Sequence, residues 1–310
     1  MNYKVDNAII LAAGIGSRFT PISLSQPKGL VKVYGECMVE RQIKHLLDAG
    51  ISDITLVTGY LAEQFEYLKQ KYGVKCVFNP YYASKNNIAS LNCVKDKLNN
   101  TYILSSDNYM NCNIYSAFEP HSWYSCVFAN SQTNEWCVDT DARNRITQVT
   151  IGGNKKWYMY GSVFLDETFS SKFIPLLEHY SAIAEWDDKY WEDVFAKHIH
   201  DLPPIYIRKF SDNIVYEFEN LEELRAFDRS YLKQSNDPLL SEVSRLLNTS
   251  EDNLLHFAPY DRSNTAKVFK FDFNGITYIA KLNSDMNHYP FETITESVAD
   301  GHLLRLFKCS

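Results

Sequence analysis

The sequence predicts an α/β protein with a mixed, mostly parallel central sheet in three layers, followed by a small α+β extension. Three observations carry this. From residue 7 to about 108, short β-rich runs alternate with stretches of helical periodicity, the pattern of parallel strands joined by crossover helices. A loop holding Gly14 and Gly16 follows the first apolar run. A polar, helix-breaking stretch, Gln234-Ser235-Asn236-Asp237-Pro238, divides residues 1–234 from residues 235–310, which we expect to be two domains.

Residues 8–12 form a continuous apolar run and read as a buried strand, whereas Val39, Ile43, Leu46 and Leu47 recur at helical spacing up to Gly50. Residues 54–58 are a second strand, 61–72 a helix closed by Gly73, 75–78 a third strand, 87–98 a helix and 102–105 a fourth strand. The middle, 123–166, is richer in strands, clearest at 123–129 and 157–165, and helical patterns return at 168–181 and 188–199. Strands at 205–210 and 213–218 precede a helix marked by Leu221, Leu224 and Phe227. In the extension, Asn274-Gly275 between residues 269–273 and 276–281 is a strong hairpin signal. The spacing also suggests a helix over 293–307.

The formal charge of −7, without a block of lysines and arginines, argues against nucleic acid or an anionic membrane as partner. Any anion must then be held locally. Seven cysteines are odd in number and form no C-x-x-C pair, so buried thiols in a reducing cytoplasm are expected rather than a disulfide framework or a zinc site. The apolar segment near the N-terminus is short and lacks a basic leader, and no run approaches the length of a membrane span.

Open parallel sheets hold ligands beyond the carboxyl ends of their strands, so residues 14–28 and 105–108 should face one crevice. The first loop fits neither a Walker A sequence nor a dinucleotide fingerprint: Phe19 stands where a third glycine is needed, and Pro21 and Pro27 imply a long loop. What it offers is glycines that let backbone N–H groups approach an anion, flanked by the fixed cations Arg18 and Lys28. That suits a polyphosphate. Asp107, in Ser105-Ser106-Asp107-Asn108 at the end of the fourth strand, is then a natural first ligand for magnesium.

The run A-I-I-L-A-A-G-I-G-S-R over 8–18 with P-K-G-L over 27–30 resembles the signature of nucleotidyltransferases that join an NTP to a phosphate ester. Further motifs, G-Y-L-A-E-Q-F from 59, F-N-P-Y-Y-A-S-K-N-N from 78, S-D-N-Y from 106, T-N-E-W from 133 and Y-W-E-D from 190, make residues 5–233 similar to bacterial CTP:phosphocholine cytidylyltransferases. The resemblance implies a Rossmann-like, GT-A-like fold and magnesium-dependent transfer of a cytidylyl group from CTP to phosphocholine, giving CDP-choline and pyrophosphate. A phosphate monoester is largely a dianion at neutral pH and needs no general base, so catalysis reduces to positioning and charge neutralisation.

By resemblance, Lys28 serves the phosphates at the reacting centre and Arg18 the departing pyrophosphate, while Leu11, Ala12, Ala13, Gly14, Gly16 and Ser17 line the nucleotide and Asn86, Asn87 and Ser90 read its base. Glu219 stands where the family usually has a second metal-binding aspartate; one methylene longer, it is equally well placed as a helix-start carboxylate. A choline head needs aromatic faces and a nearby carboxylate, which Glu135, Trp136, Tyr160, Tyr190 and Trp191 could supply. 2-Aminoethylphosphonate and phosphoethanolamine would suit the same box. A sugar-1-phosphate transferase and a nucleotide-binding regulator with weak catalysis are the rival classes.

The extension, with the hairpin ending in Tyr278-Ile279-Ala280-Lys281, resembles the opening of a choline-kinase-type small lobe. Neither an H-x-D loop nor a D-F-G motif follows it in the 310 residues, so kinase activity is not expected of them. A packing or homo-oligomerising role is compatible with it.

Overall fold

The computed structural model describes residues 2–233, 235, 237–260, 268–282, 292–299 and 302–308. These fall into two compact units. One comprises residues 1–14 and 37–217, the other residues 15–36 and 218–310.

The first unit is built on a mixed sheet. Its parallel heart consists of β1 (Asn7–Ala12), β2 (Ile54–Thr58), β3 (Lys75–Phe78) and β4 (Thr101–Ser105), in the spatial order β4-β1-β2-β3. Beyond β5 (Asn108–Met110), the chain adds β6 (Trp123–Phe128), β7 (Gln132–Thr140), β8 (Ile146–Asn154) and β9 (Trp157–Leu165). β9 runs antiparallel to β4, and the β7–β8 ribbon pairs onto it. β6 lies between β9 and β10 (Tyr206–Phe210), antiparallel to the first and parallel to the second. β11 (Val215–Glu217) pairs with β5.

The helices follow from apolar spacing. α1 (Met38–Asp48) buries Val39, Ile43 and Leu46 completely and is followed by Gly50 at φ 81°, a left-handed value that favours glycine. α2 (Tyr67–Tyr72) stops at Gly73 in the left-handed region, as its sequence implied. α3 (Asn87–Asn92) is shorter than the helix expected over 87–98, the remainder being a 3₁₀ turn at Lys95–Lys97. α4 (Glu167–Ser181), capped by the Asp166 carboxylate, and α5 (Trp191–Lys197) pack with α3 against the sheet through Ile88, Leu91, Phe169, Phe173, Trp191 and Phe195.

In the second unit α6 (Leu221–Phe227) and α7 (Pro238–Leu246) accompany a five-stranded antiparallel sheet of β12 (Leu255–Pro259), β13 (Val268–Phe273), β14 (Ile276–Leu282), β15 (Glu292–Ala299) and β16 (His302–Lys308), ordered β12-β13-β14-β16-β15. Asn274 and Gly275 both have positive φ, 51° and 75°, the requirement of a tight two-residue hairpin. The helix expected over 293–307 is two paired strands instead: Leu304 and Leu306 turn inward at the period of a strand, with Ala299 opposite His302. Lys281 is buried on β14, between Val268 and Arg305 on the neighbouring strands.

The cysteines are only partly the buried thiols expected. Cys37, Cys126 and Cys137 are buried, Cys76 and Cys93 half-buried, and Cys112 is exposed; Cys309 lies outside the described residues. Among the described residues no helix is long and apolar enough to cross a membrane.

Candidate active site

β1 and β4 are neighbours in register, Leu11 opposite Ser105, and the Ser106 N–H donates to the Leu11 carbonyl at 3.0 Å. Asp107 and Gly14 therefore lie at the same strand end of the first unit. The turn bearing Asp107 is held from below by Gln42 of α1, whose amide donates to the carbonyls of Ser105 (2.8 Å) and Asn108 (2.9 Å) from a fully buried position. Ala12 and Ala13 are buried, and the Ala13 carbonyl accepts the Tyr60 N–H at 3.2 Å. At Gly14 an added Cβ would meet nothing within 4 Å. The backbone there is open to a ligand.

In the second unit, Gly16 adopts φ 65° and an added Cβ would come within 3.3 Å of Lys28 Cβ, so this glycine lets the turn Ser17–Phe19 lie against the turn Lys28–Leu30. Lys28 Nζ lies 5.9 Å from the Phe19 ring centre. Arg18 and Glu219 are joined as an ion pair. The loop is also fastened at Ser25, whose hydroxyl donates to the buried Asp237 carboxylate at 2.7 Å, and at Lys32, whose carbonyl accepts from Tyr231 at 2.6 Å.

The aromatic residues sit in the first unit. Trp136 of β7 stands edge-on to Tyr190, centroids 6.0 Å apart, and Tyr190 is exposed at the start of α5. Tyr160 packs against Tyr158 at 5.6 Å and its oxygen accepts the Glu217 N–H. Burial first, then the nearby charges of Glu217 and Glu135, push the Tyr160 hydroxyl far above the usual tyrosine range. Trp191 is corrected: it is 2 % exposed, stacked on Tyr124 at 6.1 Å and edge-on to Phe173 at 5.8 Å, so it is core rather than a ligand face.

The three residues expected to read the base already have protein partners. The Asn86 side-chain oxygen caps α3 by accepting the Asn87 N–H, and its side-chain amide nitrogen donates to the Asp188 carbonyl at 3.1 Å. Asn87 accepts the Trp191 N–H at 2.9 Å and donates to Glu192 at 3.3 Å. Ser90 is buried and accepts from Asn79 at 3.0 Å. Glu192, which also accepts from Tyr124 at 3.1 Å, keeps an accessible rim, yet dense protein around it pushes its carboxyl up to about 7, desolvation outweighing its hydrogen bonds.

Residues 8–107 match the MobA-like NTP transferase domain. The choline-phosphate cytidylyltransferase of Streptococcus pneumoniae is 35% identical over 229 residues, 74% of this chain and 99% of that protein. That of Haemophilus influenzae is 33% identical over 70% of this chain and 94% of its own length. The chain belongs to the choline-phosphate cytidylyltransferase family. A relative named 2-aminoethylphosphonate cytidylyltransferase, from Lancefieldella rimae, is 32% identical over 74% of this chain and 95% of its length. The solved structure of the Streptococcus pneumoniae CTP:phosphocholine cytidylyltransferase superposes with a TM-score of 0.70 at 34% identity, covering 74% of this chain and 99% of its own. An inositol-1-phosphate CTP transferase from T. maritima, at 18% identity and TM-score 0.58, shares the fold.

In this cytidylyltransferase fold three polar side chains matter that motif reading missed. Gln42 had a visible signal: a polar residue on the helix face of Val39, Ile43 and Leu46, where only a hydrogen-bonding duty explains its burial. Glu192 stands in the Y-W-E-D run and Glu217 in none of the motifs, and neither carried a signal of its partners. Their roles depend on which strand and which helix start lie beside Tyr124 and Tyr160.

Proposed function

We propose that this chain transfers the cytidylyl group of CTP to phosphocholine. A phosphate oxygen of phosphocholine attacks the α-phosphorus, the bond to the β-phosphate oxygen breaks, and pyrophosphate leaves with that electron pair. Lys28 binds at the reacting phosphates and Arg18 at the departing pyrophosphate. The backbone from Leu11 to Ser17 lines the nucleotide, and Asn86 and Ser90 border its base. The open space at Gly14 supports a ligand-facing backbone. The cytoplasm, where CTP is made available, is the proposed compartment.

Among the described residues no three or more His, Cys, Asp or Glu side chains cluster as a metal cage. Magnesium takes one or two carboxylates and completes its shell with phosphate oxygens and water. Asp107 would hold it, with Glu219 as second carboxylate once Arg18 turns to phosphate. Bound there, the ion would neutralise charge on the phosphates during transfer.

The observation that carries the choice of acceptor is the Trp136–Tyr190 ring pair, in a family whose named members act on phosphocholine and on an aminoalkyl phosphonate. Aromatic faces bind a quaternary ammonium well, and Glu135 supplies opposite charge. 2-Aminoethylphosphonate is the second reading, favoured by the relative of that name. Pyrophosphate release from four NTPs against phosphocholine, phosphoethanolamine, 2-aminoethylphosphonate and a hexose 1-phosphate, with and without magnesium, decides between them. CTP with phosphocholine and magnesium should turn over fastest; a preference for UTP or dTTP with the sugar phosphate would refute the proposal, and CTP binding without turnover would make the chain a regulator. Residues 235–310 we propose as an extension to the transferase, without kinase activity of their own.

A further inference from the structure

The amide of Asn87 is committed at both ends. Its oxygen accepts the Trp191 backbone N–H and its nitrogen donates to Glu192, both at the first turn of α5. Neighbouring bonds tie the same two stretches together: the Asn86 N–H donates to the Asp187 carbonyl at 2.7 Å, its amide to the Asp188 carbonyl, and Lys85 pairs with Asp187 at 2.7 Å. Tyr190, which meets Trp136, immediately precedes Trp191. An asparagine held this way presents a fixed orientation, because exchanging its oxygen and nitrogen would set donor against donor at Trp191 and acceptor against acceptor at Glu192.

We propose that Asn87 and Glu192 are a positioning pair, which fastens the start of α3 to the start of α5 and so fixes Tyr190 for the acceptor's cationic head. Asn87 thereby serves the acceptor side through α5 rather than reading the base. This rests on the proposed acceptor role of Tyr190. Glu192 is suited to the task because Tyr124 holds its other oxygen, leaving one acceptor aimed at Asn87.

The test exploits the polarity of the bond. Glu192→Gln can keep Asn87 by turning its amide nitrogen to the Tyr124 hydroxyl, which then accepts, so it is the mild change, whereas Asn87→Asp, assayed at about pH 8 where Glu192 is ionised, faces it with a second acceptor. The double variant Asn87→Asp/Glu192→Gln restores every bond with donor and acceptor exchanged: the carboxylate introduced at 87 accepts from the Trp191 N–H and from the amide introduced at 192. Asn87→Asp should raise the KM for phosphocholine about tenfold, the scale of a lost charge-assisted hydrogen bond, with kcat and the KM for CTP within about threefold, and Glu192→Gln should stay within about threefold of the parent throughout. The double variant should return to within about threefold of the parent.

Hydrogen exchange of the Trp191 amide, without substrate, should quicken in Asn87→Asp and slow again in the double. A double variant as impaired as the worse single, in both KM and exchange, would overturn the pairing. A parent inactive on phosphocholine whose exchange pattern still follows the swap would instead refute the acceptor reading and leave the pairing in place. Should a single variant fail to fold, Tyr124→Phe supplies the control: it removes only the other Glu192 bond and should leave Trp191 exchange unchanged, whereas quickening there would count against the pair.

Discussion

Replacing Trp191 by alanine should lower the stability of the protein without selectively weakening its hold on the acceptor. The indole is 2 % exposed, between Tyr124 and Phe173. A tryptophan removes about 200 Å² from water, worth about 5 kcal/mol at roughly 25 cal/mol per Å². Alanine keeps a methyl group and the walls relax in part, which leaves a loss of about 4 kcal/mol. At roughly 2.1 cal/mol/K of unfolding entropy per residue, that lowers the thermal midpoint of a chain this long by about 6 °C. Urea unfolding gives the free energy, and pyrophosphate release at a temperature where both proteins are folded gives KM for phosphocholine and CTP. Trp136→Ala, by contrast, removes a ring standing on Tyr190 and should raise the phosphocholine KM about tenfold while costing less stability. A Trp191→Ala protein as stable as its parent, with only the phosphocholine KM raised, would refute this division of labour.

Gly14→Ala meets open space and should leave the unfolding midpoint unchanged while lowering kcat/KM for CTP; Gly16→Ala, forced to φ 65° against Lys28, should cost about 1 kcal/mol or more as well as activity, as paired melts and kinetics would show. Lys28→Ala should cut kcat about a hundredfold or more with little change in the phosphocholine KM, a split measurable by steady-state kinetics. The Glu192 carboxyl ionises near 4.5 when unfolded and at about 7 when folded, so the unfolded state sheds its proton first as pH rises. Stability relative to Glu192→Gln should therefore fall through that window by roughly 3 kcal/mol and level off above it, read from denaturant midpoints against pH.

Much of the sheet was legible because strands buried on both faces spell out β-rich runs: residues 8–12 are wholly apolar, residues 54–58 join Ile54, Leu56 and Val57 to the β-branched Thr55 and Thr58, and both are strands. The strand end bearing Asp107 followed from the same alternation. What misled was local ambiguity. Leu303, Leu304 and Phe307 fall on one helical face, but residues 292–299 and 302–308 pair antiparallel, Ala299 opposite His302, and pairing in a sheet overrode the helical reading. Trp191 belonged to a binding motif in sequence, yet Trp191, Val194 and Phe195 at i, i+3 and i+4 already marked the buried face of α5. The partners of Asn87 and Glu192 were beyond reach, since they lie about a hundred residues apart and meet only through tertiary packing.

The Ser25–Asp237 bond bears on how this enzyme can be cut. The pneumococcal relative aligns with about three quarters of the chain, which invites a shortened version ending where the likeness ends. Such a version would strip away the carboxylate that anchors the Lys28 loop, along with the strand Leu255–Pro259. Residues 15–36 and 218–310 form one cassette in space, and a chimera made with a shorter homologue should exchange both pieces together or neither.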